Sequence, residues 1–255
     1  NSPIIRFFLQ TLVVSITVYT LDIEVSSTRI DLIDEIIHIK FYGIIFSIFC
    51  LMILINGSNF IDGLNGLLLG YLLLVICIIL KLSLFDLLQV EEHLKIFLIS
   101  ALLIMLIFNY NNIFYLGDGG SYSIGLFLGY LTITIYNSSN DISPFFIILL
   151  LWYPCFENLF SILRKSRFKN SPISADDKHL HQLLYFFIKK KFLKKNLLSN
   201  NFSSILINFY NLIIFSTASI NIYNTKFQIF LILINIFIYL VAYKYLFYFR
   251  FRKTI

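Results

Sequence analysis

Four stretches of this chain, residues 41–61, 96–117, 119–140 and 196–225, contain no Asp, Glu, Lys, Arg or His. A helix needs about 20 mostly apolar residues to cross a bilayer, and these stretches are of that order. Runs such as Leu67–Leu80 are apolar all round. They lack the one-sided stripe of a helix on a soluble core and the alternation of a barrel strand. One fold class remains, an all-α, polytopic transmembrane helical bundle. Composition agrees: only 13% of residues are charged, against about 25% in a soluble domain.

Eight segments qualify as spans, at roughly 4–21, 41–56, 64–80, 96–110, 121–136, 143–163, 203–221 and 227–247. The intervening loops alternate in charge. Asp22–Lys40 and Lys81–Lys95 are rich in carboxylates, whereas the stretch after the sixth span carries Arg164, Lys165, Arg167, Lys169, Lys178, Lys189, Lys190, Lys191, Lys194 and Lys195. By the positive-inside rule, loops after even-numbered spans and both termini face the cytoplasm. The net charge of +6 therefore reports topology rather than a nucleic-acid partner. Cys50, Cys77 and Cys155 lie in apolar segments without metal-ligand spacing, so no disulfide framework is expected. The heavy use of Phe, Ile, Leu, Asn and Lys reads as compositional bias.

Three polar clusters interrupt this pattern, each after an even-numbered span. The first is Asn56-Gly-Ser-Asn-Phe-Ile-Asp-Gly-Leu-Asn-Gly66. Asp62 and its amide neighbours exceed what helix capping requires, and an ionisable group at a membrane edge is costly unless it works. The second, Asn109–Ser121, contains Gly117-Asp118-Gly119-Gly120. An open backbone beside a helix start can hold phosphate, and Mg²⁺ binds one or two carboxylates plus substrate phosphates. Alone, it reads equally as an Asp-Gly turn capped by Ser121. The third is Asp176-Asp-Lys-His-Leu-His-Gln182. Histidines two apart do not share a helix face, so they suit phosphate contacts or proton transfer better than a helical metal site. Glu157, near the end of the sixth span, either lines the site or snorkels. Carboxylates, glycine-opened backbone, amides and histidines on one membrane face suit Mg²⁺-assisted phosphoryl chemistry on a membrane-bound substrate.

On these residues the chain resembles the polyprenyl-phosphate N-acetylhexosamine-1-phosphate transferases of glycosyltransferase family 4. Asn56–Leu67 matches their Asn-x-x-Asn-x-x-Asp-Gly-x-[Asp/Asn]-Gly-Leu segment. Tyr115–Ser121 approximates Phe-[Met/Leu]-Gly-Asp-x-Gly-Ser, and Asp176–Gln182 approximates Asp-x-x-His-[Ile/Leu]-His-His. The resemblance implies transfer of a sugar-1-phosphate, an N-acetylhexosamine phosphate, from a UDP-sugar to undecaprenyl phosphate. UMP leaves, and a lipid-linked cell-envelope glycan is begun. It also implies that Asp118 binds Mg²⁺, with Mn²⁺ as the alternative. Asn56, Asn59 and Asp62 would lie by the nucleotide diphosphate, Gly63, Leu64 and Asn65 would line the nucleobase pocket, and His179 and His181 would assist the phosphates or catalysis. Gly117 and Arg164 are further substrate-binding candidates.

The expected setting is the bacterial inner membrane, with a cytoplasmic active site and a homodimer as the expected assembly. The chain reads as a single transferase domain, 1–255, whose histidine loop covers about 164–202. Two departures concern single positions: Asn65 stands where peptidoglycan translocases carry Asp, and Gln182 replaces a third His. A third is larger, since no Asp-Asp pair precedes the first span. The chain is therefore expected to be the C-terminal eight spans of a ten- or eleven-span protein, inactive when expressed alone. Among branches, the loops favour the O-antigen and lipopolysaccharide initiators over the phospho-MurNAc-pentapeptide translocase. The other classes are a transporter, which would place polar groups near the midplane of repeated halves, and a non-catalytic scaffold.

Overall fold

The structure, a computed structural model, describes residues 3–139, 141–167 and 177–251. Among these the chain folds into α1 (Pro3–Leu21), α2 (Asp31–Ile37), α3 (Lys40–Ile61), α4 (Leu67–Lys81), α5 (Glu92–Tyr110), α6 (Gly117–Asn137), α7 (Pro144–Leu150), α8 (Trp152–Arg167), α9 (Leu180–Lys191), α10 (Asn196–Ala218) and α11 (Thr225–Phe251), with no strand. All eight expected segments fall on helices, the sixth being split into α7 and α8. Two further helices, α2 and α9, form in stretches that read as loops. In α9 the burial of Leu183 and Ile188 against α10 and α11 favours helix over loop.

The structure is the expected polytopic helical bundle. Four helices, α1, α3, α5 and α11, are long and apolar enough to cross a membrane, and the bent α7–α8 pair makes a fifth if it counts as one span. At 15 residues, α4 rises about 22 Å, short of the ~30 Å hydrocarbon core. Gly, Ser, Thr and Asn dilute α6 and α10, which can be less apolar because they pack against protein. On the outside, Phe8, Phe97 and Phe237 are 68%, 72% and 68% exposed. Such an apolar belt suits hydrocarbon rather than water.

The middle of the bundle is α3, packed against α1, α2, α6 and α8. Small residues permit the close approach. A Cβ on Gly125 would lie 2.8 Å from Ile55 Cα, and one on Gly129 would lie 2.2 Å from Leu51 Cδ2. On the other side a Cβ on Gly57 would lie 2.1 Å from Pro154 O, and Asn158 Nδ2 donates to Ile53 O at 2.9 Å.

Between α7 and α8 the chain bends by 80°. Pro154 has no N–H to give the carbonyl four residues earlier, that of Leu150. The buried Tyr71 hydroxyl supplies the missing donor at 2.7 Å. The broken helix is thus satisfied inside the protein, as low-dielectric surroundings require. At the far end of α6, Arg29 ties three connections together, donating to Asp141 O at 2.9 Å, Ile142 O at 3.0 Å and Thr225 Oγ1 at 2.9 Å.

Candidate active site

The C-terminal end of α3 carries the site. Its last turn is polar, and Asp62 is its C-cap. The following turn holds Gly66 at φ +73°, a conformation that glycine adopts without strain. Asn56 does not reach outward; its Nδ2 donates to Met52 O in the same helix at 2.8 Å.

Asn59 meets the start of α6. Its Nδ2 lies 3.1 Å from Asp118 Oδ1 and 2.9 Å from Ser121 Oγ, and Ser121 Oγ donates to Asp118 O at 3.0 Å. Gly117 opens this turn at φ +63°, and nothing lies within 4 Å of a Cβ built on Gly117 or Gly119. The backbone around Asp118 is therefore uncovered. Arg6 of α1 completes the group, its Nη1 lying 2.7 Å from Asp118 Oδ2.

Asp62 lies in the same field. Burial first, and the charge of Asp118 second, push its carboxyl up to about 7. Among the described residues no hydrogen bond to that carboxylate offsets either effect. Two carboxylates opposing one another, one lacking a donor, fit a hard cation that takes its remaining ligands from phosphate. Among the described residues no cluster of three or more His, Cys, Asp or Glu could hold a metal with protein ligands alone, so the fit is to a cation shared with a substrate.

The histidines approach the same helix end from another side. The His179 ring lies 5.0 Å from that of Phe60 and stacks on His181 at 5.6 Å. A Cβ on Gly63 would fall 2.8 Å from His181 Nε2, so the glycine makes room for the ring. His181 is fully buried, and neither ring nitrogen has a hydrogen-bond partner. Burial lowers its pKa to about 4, leaving it neutral. Glu157 Oε2 sits 2.9 Å from His179 Nδ1. Gln182, where a third histidine was expected, accepts the His179 N–H at 3.2 Å and caps α9.

The turn after α3 rests on an asparagine cluster. Asn65 N donates to Asn200 Oδ1 at 2.7 Å, and Asn65 Nδ2 donates to Asn112. Asn109 accepts the Gly66 N–H, and Asn208 Nδ2 donates to Gly66 O at 3.0 Å. The Asn65 side chain thus holds the turn, while Leu64 is buried beneath it. Asn109 belongs to the second polar cluster of the sequence, whereas the asparagines of α10 carry no local signal and become specific only in the fold.

The structure brings Asn59, Asp62, Gly63, Asp118, His179 and His181 to one helix end. Arg164 belongs to the scaffold: its Nη1 donates to Lys178 O at 2.6 Å and to Tyr243 Oη at 2.7 Å. Asp176 lies outside the described residues, and Arg250 holds Asp177. Arg6 was missed, although a cation with Gln10 one turn on, in an otherwise uncharged helix, marks a polar face.

The family model for glycosyl transferase family 4 matches residues 1–136. Over 158 residues the chain is 30% identical to the decaprenyl-phosphate N-acetylglucosaminephosphotransferase of Mycolicibacterium smegmatis, covering 51% of this chain and 37% of that protein. Over 130 residues it is 28% identical to the undecaprenyl-phosphate alpha-N-acetylglucosaminyl 1-phosphate transferase of Thermotoga maritima, covering 51% and 39%. These matches span less than two-fifths of the relatives' length. No solved structure matches the chain at a significant level. The matched residues include Asn59, Asp62 and Asp118, and the histidine segment lies beyond them.

Proposed function

This chain belongs to glycosyl transferase family 4, and on that premise we propose that it transfers an N-acetylhexosamine-1-phosphate from a UDP-sugar to a polyprenyl phosphate. The observation that carries the proposal is the pair Asp62 and Asp118, close enough that the charge of one raises the carboxyl of the other, with Asp118 held by Asn59 beside the uncovered backbone of Gly117 and Gly119. A lipid phosphate oxygen attacks the sugar-bearing phosphorus. The bond from that phosphorus to the bridging oxygen breaks, and UMP leaves with the electron pair.

Asp118, with Asp62, would hold Mg²⁺. When bound, Mg²⁺ neutralises charge on the diphosphate and on the departing UMP. Asn59 orients the Asp118 carboxylate through its amide. Arg6 adds positive charge beside the phosphates. His179 contributes a ring nitrogen at the opposite side of the α3 end, and His181, neutral and buried, backs it by stacking. The Gly63–Gly66 turn, fixed by asparagines, supplies a rigid wall for the nucleotide. The site faces the cytoplasm of a bacterial inner membrane, where the UDP-sugar is found.

The test uses the full-length protein in nanodiscs with undecaprenyl phosphate and labelled UDP-N-acetylglucosamine. Mg²⁺-dependent transfer with release of UMP is expected. EDTA should stop it, and Asp118→Asn should lower it by at least about a thousand-fold. Full activity of Asp118→Asn would refute the metal assignment.

A further inference from the structure

Glu157 stands 1% exposed in the interior, and three donors surround it. Oε2 lies 2.9 Å from His179 Nδ1, and Oε1 accepts the Leu180 N–H at 2.9 Å and the Tyr239 hydroxyl at 2.8 Å. An ionised carboxylate only accepts. Facing it, Nδ1 of His179 must carry a proton, which in the neutral ring leaves Nε2 with a lone pair. No described group hydrogen-bonds that Nε2.

We infer that Glu157 is a positioning residue for the transfer reaction, fixing both the place and the tautomer of His179; this rests on the function proposed above. One carboxylate does both tasks. The bond to Leu180 N–H holds the first residue of α9, and the bond to Nδ1 sets the ring that precedes it. Tyr239 brings α11 into the arrangement. That helix also supplies Tyr243, which receives Arg164 Nη1 at 2.7 Å, and Arg250, which donates to Asp177 O at 2.7 Å. The histidine segment is thus clamped between α8 and α11. A ring held in this way presents Nε2 to a phosphate oxygen or a transferring proton without sampling the wrong tautomer.

The experiment pairs kinetics with ¹⁵N NMR of histidine-labelled full-length protein. In the wild type, His179 should show the Nδ1–H tautomer; an Nε2–H tautomer overturns the inference, whether or not any variant folds. Glu157→Gln should mix the tautomers and lower kcat by about ten- to a hundred-fold, with KM for the UDP-sugar within about two-fold. Combined with His179→Ala, it should cost nothing further, because it acts through that ring. Additive losses, or an unchanged tautomer in Glu157→Gln, overturn the inference. A wild type that performs no transfer instead refutes the proposed function, and the tautomer reading still decides the role of Glu157.

Discussion

The Arg6 guanidinium lies 2.7 Å from the Asp118 carboxylate and so joins α1 to the start of α6. Both side chains are about half exposed, at 47% and 55%, so the pair adds little stability. Its effect is electrostatic: it places a positive charge where a divalent cation would sit. Arg6→Gln should leave the thermal midpoint within about 2 °C. It should also tighten Mn²⁺ binding by about three- to ten-fold, read by electron paramagnetic resonance of free Mn²⁺. Unchanged Mn²⁺ affinity would remove Arg6 as a counter-ion.

Asp62 links function to a stability cost. Its carboxyl is raised from its usual 3.8 to about 7, first by burial and then by Asp118. The folded state therefore holds a proton that the unfolded chain releases, and stability falls as pH rises from about 4 to about 7. Asp62→Asn should be more stable than the wild type at pH 8 by about 1–2 kcal/mol, after discounting for solvent around a half-buried group. The difference should vanish below pH 4, and the variant should not transfer sugar phosphate. Melting curves across pH test the sign, and a variant less stable at pH 8 contradicts it.

Helix packing makes Gly57 and Gly119 opposites. A methyl on Gly57 would strike Pro154 backbone at 2.1 Å, whereas nothing lies within 4 Å of one on Gly119. Gly57→Ala should cost at least about 3 kcal/mol. Gly119→Ala should leave stability unchanged or raise it by up to about 1 kcal/mol yet weaken substrate binding, since it covers backbone that would face phosphate. Thermal melts and KM for the UDP-sugar separate the two; equal stability losses would count against the packing account.

His181 gives an acid-side signature. Burial lowers its pKa from 6.5 to about 4, so the unfolded chain takes up a proton that the fold excludes. Its contribution is fully present above about pH 6.5 and is lost as pH falls towards 4. His181→Phe should flatten the stability profile over that window, by up to about 3 kcal/mol, and should lower activity. A profile as steep as the wild type would mean that another group titrates.

Much of this was legible in the sequence because it rests on local rules. Charge-free runs marked α3, α5, α6 and α10, and glycine beside aspartate marked the two turns of the site. What escaped depends on partners distant in the chain. Glu157 is one carboxylate near the end of a span until Tyr239 and Leu180 are brought to it. The asparagines of α10 become specific only around the Gly66 turn. By length and apolarity alone α1, α3, α5 and α11 qualify, whereas α4, α6 and α10 do not, although all three fall where the sequence places a span.

The backbone contact between Gly57 and Pro154 fixes the rotational phase of α3. Successive residues on a helix are about 100° apart, so Asn59 and Asp62 look towards Asp118, while Phe60 and Gly63 look towards the histidines. One residue inserted between Gly57 and Asn59 would therefore index the carboxylate side round towards the imidazoles, with every side chain of the candidate site still present. The division between carboxylate side and histidine side is set, in that sense, by the registration of a single shaft, keyed two residues before Asn59.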